Sequence, residues 1–179
     1  MLKKKQLLKT PSQTVGPFFS NYLQFNFKKP ALSKFIKNNK KKIILNLNVK
    51  DKKNNLVNDA FIEYWQVSNF NNKKKILFFN RVKYNTNNKS FIMTFNEYKF
   101  KTHIFLTIFS RGLLNHLNTI IFFDDLEVLL KDEFFNNLPL SRRNTMIAKF
   151  KKIENNIKFY KHDLYLSGVK EAVFFNFIN

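Results

Sequence analysis

Apolar and polar residues alternate with a period of two along most of this chain. In Ile43-Ile44-Leu45-Asn46-Leu47-Asn48-Val49-Lys50, Leu45, Leu47 and Val49 fall on one face and Asn46, Asn48 and Lys50 on the other, the signature of a half-buried strand. Comparable runs recur at 60–67, 75–84, 90–95, 102–109, 117–123, 157–166 and 172–178. Short strands at this spacing predict an all-β fold, a mainly antiparallel β-sandwich. Lys53-Asn54-Asn55, Asn71-Asn72 and Asn87-Asn88 read as turns, because asparagine tolerates the left-handed backbone that glycine would otherwise supply. One segment breaks the rhythm. Asp124-Asp125-Leu126-Glu127-Val128-Leu129-Leu130 offers an N-cap and an acidic first turn, predicting one short helix after Asp125, from about Leu126 to Phe135, with Pro139 at its exit. Ser141 to Ala148 then reads as a loop or single helical turn leading into the final strands.

Thr10-Pro11-Ser12-Gln13-Thr14-Val15-Gly16-Pro17-Phe18-Phe19 holds two of the four prolines and one of the three glycines. Proline fixes its own φ and extends the residue before it, so this stretch predicts an N-terminal arm of defined shape, tied down by packing on something, another chain included. No repeat or Pro/Gly/Ser-rich linker divides the 179 residues, and a single domain is expected, 1–179, with residues 1–30 as the arm. Zero cysteines exclude disulfides and thiolate metal sites and fit a reducing, cytoplasmic setting. No signal peptide is expected, since only Leu7-Leu8 follow the basic opening, and the run from Thr119 to Phe123 ends at Asp124-Asp125, too short for a membrane span. The formal charge of +20 comes mostly from lysines in short separate clusters, such as Lys40-Lys42, Lys73-Lys75 and Lys151-Lys152. That pattern reads as solvated loops of a Lys-, Asn- and Phe-rich composition, and nucleic acid is not the expected partner.

Few side chains offer chemistry. His103 lies in a strand, where i and i+2 share a face, but Phe105 holds the position a second ligand would need. His116 and His162 have no partners at ligand spacing, Glu63 is a lone strand acid read as structural, and there is no phosphate loop or nucleophile elbow.

The arm, the block Asn58-Asp59-Ala60-Phe61-Ile62-Glu63-Tyr64-Trp65-Gln66, and His103-Ile104-Phe105-Leu106-Thr107-Ile108-Phe109-Ser110-Arg111-Gly112 through Phe122-Phe123-Asp124-Asp125 together resemble the intradiol ring-cleavage dioxygenases. Arg142 to Lys149 and Glu171 to Phe177 extend the resemblance in the same order. It implies a β-sandwich and, in the two-chain members of the family, cleavage of 3,4-dihydroxybenzoate by O2 to 3-carboxy-cis,cis-muconate. There, Fe(III) is held by two tyrosines and two histidines of the beta chain. This sequence departs from that set at His103-Ile104-Phe105, and 69–101 lacks recognisable tyrosine-ligand segments, so it resembles the iron-free chain, with the ferric ion expected on a homologous beta partner in a higher hetero-oligomer. The resemblance implies that this chain has no catalytic or metal-binding residues of its own and walls the partner's pocket with Thr14, Gly16, Pro17 and Phe18 of the arm and with Arg111. Gly16 lets backbone approach a ligand, Thr14 can hydrogen-bond, and Arg111 complements a carboxylated catechol. Phe18 stands where the family often has tyrosine, and the connection from Phe95 to His103 is shorter than in the family. Two alternatives stay open: the arm and Arg111 merely fasten subunits and cap a strand, or the chain is a non-catalytic scaffold or basic binding module.

Overall fold

A computed structural model describes residues 41–70, 73–97 and 103–176. Its strands are β1 (Lys42–Lys50), β2 (Phe61–Phe70), β3 (Lys73–Asn85), β4 (Ser90–Asn96), β5 (His103–Phe109), β6 (Leu117–Phe123), β7 (Ile147–Glu154) and β8 (Ile157–Tyr165). The helical turns α1 (Leu126–Leu129), α2 (Glu133–Asn136) and α3 (Leu140–Arg143), then the 3-10 turn Asn144–Met146, fill the connection from β6 to β7.

The all-β expectation holds. The pairing is mainly antiparallel as expected, but the sandwich needs correction, because the eight strands close on themselves in the order β1-β4-β3-β2-β5-β6-β7-β8. Two broad ladders, β3-β2-β5-β6 and β4-β1-β8-β7, face each other; they are joined at the corners by two-residue ladders, Tyr84↔Phe91 with Asn85↔Ser90 and Phe122↔Ile147 with Phe123↔Ala148. The latter pairing is parallel, as is the nine-residue ladder between β1 and β8. The two-residue corners close the strand order while most of β3, β4, β6 and β7 stays unpaired across them.

Alternation decides what fills the interior. Ile43, Leu45, Leu47 and Val49 of β1 are buried while the residues between them are half-exposed, the face assignment read from the sequence. They meet Ile62 and Tyr64 of β2, Ile104, Leu106 and Ile108 of β5, Ile121 of β6 and Leu164 of β8. The Tyr64 hydroxyl donates to the Thr94 carbonyl (3.3 Å) and accepts from Asn80 Nδ2 (3.1 Å), tying β2 to β3 and β4; burial pushes its pKa up to about 12.

Turn chemistry follows the asparagines. Asn54 has φ +68 and Asp51 Oδ1 accepts from the amides of Lys53 and Asn55, as expected of that turn. At 86–89 the left-handed residue is Lys89 (φ +50), with Asn85 Oδ1 accepting from the Asn88 amide. Asn71-Asn72 lies outside the described residues. The hairpin from β7 to β8 turns on Asn155 (φ +48) and Asn156 (φ +63), the two left-handed positions of a type I′ turn.

Two element expectations fail. The single helix from about Leu126 to Phe135 is two short turns, because Asp132 is extended (φ −88, ψ 117) and its Oδ1 accepts from the Phe135 amide, ending one turn and capping the next; the helical turn expected after Pro139 is α3. The segment 172–178 is no strand in its described part; Glu171 and Phe175 make isolated bridges to Tyr165 and Asn118. No helix among the described residues is long and apolar enough to cross a membrane.

Buried His162 creates a pH dependence. Its Nδ1 lies 3.1 Å from the Ile147 carbonyl oxygen, which can only accept, so Nδ1 carries the proton and the ring is neutral. Burial pushes its pKa down to about 4 from an ordinary 6.5, outweighing the hydrogen bond to Ile147, which acts the other way. As pH falls through that interval the unfolded chain takes up a proton the folded chain refuses. Stability is therefore complete above about pH 7 and drops below it, by roughly 3 kcal/mol at full extent. Urea midpoints measured from about pH 7 to pH 5 should fall for the wild type and less steeply for His162→Gln; equal slopes would refute the assignment.

Candidate functional site

Strand β5 carries the residues that matter at both of its ends. It lies between β2 and β6, with Phe105 opposite Trp65 on one side and Ile120 on the other. Ile104 to Thr107 are all buried, so both faces of the strand are covered.

At its start, His103 and Phe105 share a face as the period of two requires, their rings in edge contact at 5.1 Å. Phe105 stacks on Trp65 (5.8 Å, 16°), and Phe134 of α2 packs edge-on against both His103 and Phe105. His103 Nδ1 meets Asp132 Oδ2 at 2.5 Å, so one carboxylate caps α2 and anchors the first residue of β5. Beneath them Gln66 Nε2 donates to the His103 carbonyl (2.7 Å). These residues do not fit a ferric ion. The i+2 position offers a phenyl ring without a lone pair, and the rings surrounding the one histidine are hydrocarbon. Among the described residues no cluster of three metal-ligating side chains occurs. His116 is exposed beside Phe109 and His162 is buried elsewhere, so neither joins this site.

At the other end the chain turns through Ser110, Arg111 and Gly112, the last with φ +85. Because Phe61 pairs with Phe109, the residues just before β2 meet those just after β5. Arg111 Nε donates to Asp59 Oδ2 (2.7 Å), and the Ser110 hydroxyl lies 3.3 Å from Asp59 Oδ1. The arginine side chain remains 67% exposed, and its terminal guanidinium nitrogens have no partner among the described residues. An exposed ion pair of this kind contributes little to stability, while the free fork of donors stays available to an anion. Asp59 as the partner was not evident from sequence; only the β2–β5 pairing, 52 residues apart, brings it in. Thr14, Gly16, Pro17 and Phe18 lie outside the described residues. Glu63 is paired with Arg81 across β2 and β3 (2.8 Å), consistent with a structural role.

Asp132→Ala removes both the cap and the histidine contact and should cost about 2–4 kcal/mol. Asp132→Asn keeps the cap and should cost less than half of that in urea unfolding; equal losses would show that the histidine contact alone matters.

No family profile matches the chain. It is 29% identical to the protocatechuate 3,4-dioxygenase alpha chain of Burkholderia cepacia, over 95% of this chain and 98% of that one. To the alpha chain of the same name from Pseudomonas putida it is 28% identical, over 96% and 98%. Among solved structures, the dioxygenase domain of a dioxygenase carbohydrate-binding protein fusion from Streptomyces sp. SirexAA-E matches with a TM-score of 0.53 at 15% identity, covering 92% of this chain and 99% of that one. The 3-chlorocatechol 1,2-dioxygenase of Rhodococcus opacus 1CP matches with a TM-score of 0.50 at 12% identity, covering 73% and 62%. The resemblance read from the sequence is borne out: along nearly its whole length this chain is a homologue of protocatechuate 3,4-dioxygenase alpha chains.

Proposed function

We propose that this chain is the iron-free alpha subunit of a protocatechuate 3,4-dioxygenase. The similarity to alpha chains over 95% of its length carries the reading, and the hydrocarbon-rich surroundings of His103 support it. In the working complex a homologous beta chain holds Fe(III), which supplies activation of the catechol and O2. Intradiol cleavage breaks the ring bond between the two hydroxylated carbons, and both oxygen atoms of O2 enter the two new carboxylates of 3-carboxy-cis,cis-muconate. The chain forms one domain, 1–179, works in the cytoplasm, and joins the beta chain in a higher hetero-oligomer. Its arm, through Thr14, Gly16, Pro17 and Phe18, walls the partner's pocket together with Arg111, whose unengaged terminal nitrogens suit the substrate carboxylate.

Co-expression with the beta chain should give oxygen uptake with protocatechuate; a stable complex without uptake would favour a scaffold. Within the active complex, Arg111→Ala should lower kcat/KM by about 2 kcal/mol or more in transition-state stabilisation with little change in Tm, and Lys should restore only part of it. Lowered Tm with unchanged kcat/KM would instead make the Asp59–Arg111 pair a strand-end cap.

A further inference from the structure

On the far side of the molecule, β7, β8 and the turns flanking them enclose an open cleft of about 550 Å³. Four lysines line it, Lys149, Lys151, Lys161 and Lys170. Two of them, Lys149 and Lys161, stand directly opposite each other in the antiparallel ladder, on one face and at the closest cross-strand spacing. Like charges so placed repel and destabilise the sheet unless an anion lies between them. The protein supplies little. Lys149 reaches Asp124 only at 3.6 Å, and Lys151, Lys161 and Lys170 have no ion pair among the described residues. Asp163, the one acid in the lining, is already paired with Lys50 Nζ and accepts from Asn48 Nδ2, each at 2.8 Å. His162, between Lys161 and Asp163 on β8, turns to the opposite, buried face of the strand and adds no donor to the cleft.

We propose that this cleft binds a compact polyanion, of the di- or triphosphate or tricarboxylate kind, its negative groups set between Lys149, Lys161, Lys151 and Lys170. The volume is that of a small-molecule site. An extended nucleic-acid strand fits less well, because Tyr165, the one tyrosine in the lining, is already in cation–π contact with Lys50 at 5.5 Å and Lys170 at 5.9 Å. This site is separate from both ends of β5 and does not depend on the proposed enzymatic role.

Calorimetric titration of the full chain with pyrophosphate at about 50 mM salt tests it, with citrate as a second arm to separate phosphate from carboxylate recognition. Saturable one-to-one binding of either anion is expected, weakened about fivefold or more by Lys161→Gln or Lys151→Gln and unaffected by Lys131→Gln, an exposed lysine outside the cleft. Lys161→Gln should also raise the Tm of the free chain slightly while shrinking the Tm gain that pyrophosphate gives. No saturable binding by about 10 mM of either anion would overturn the proposal. So would equal loss in Lys131→Gln, or a single-stranded oligonucleotide binding through Lys161 more tightly than pyrophosphate.

Discussion

Everything in this fold depends on β1 having both of its edges hydrogen-bonded, antiparallel to β4 and parallel to β8. A strand with one free edge would leave a row of unsatisfied amides and carbonyls and an open sheet. With both edges filled, the buried face of β1 is held against Ile62, Ile104 and Leu106 on the opposite ladder, and the two ladders need only two-residue corners to close. β5 gains its position from the same closure. It is central in its ladder, buried on both faces, and its two ends are therefore held firmly where His103 and Arg111 emerge.

The region around His103 has taken up a structural task. A histidine, a carboxylate and several aromatic rings converge there, the kinds of groups that elsewhere hold ions. Here the carboxylate of Asp132 belongs to a helix cap, and Phe105 and Trp65 exclude water from the other side. One residue, Asp132, thus couples the helical connection to the sheet, and the connection in turn lays Phe134 over the histidine.

Strand β1 was legible from its sequence because each apolar residue from Ile43 to Val49 on one face is matched by a more exposed neighbour. β7 was not: Lys149 to Glu154 are all exposed, and its larger apolar residues, Phe150 and Ile153, sit three apart across a bulge. The Asn155-Asn156 pair between two β-rich stretches was the available signal for its hairpin. The parallel pairing of β1 with β8 was not legible, since it joins residues more than 100 positions apart and no local pattern encodes it; that of β6 with β7 is made across the helical connection between them. The same distance hides chemistry. His103 and Phe105 could be placed on one face from spacing alone, whereas Asp132 and Asp59 become partners only through the fold, and Lys149 meets Lys161 only across the β7–β8 ladder.

The parallel ladder of β1 with β8 also sets an order of events during synthesis. Residues 42–50 leave the ribosome long before 157–165, so one edge of β1 stays unpaired until nearly the whole chain has been made. For that interval the nascent chain presents a strand with one apolar face and one unpaired edge, so anything that shields that edge would have to act before the barrel exists.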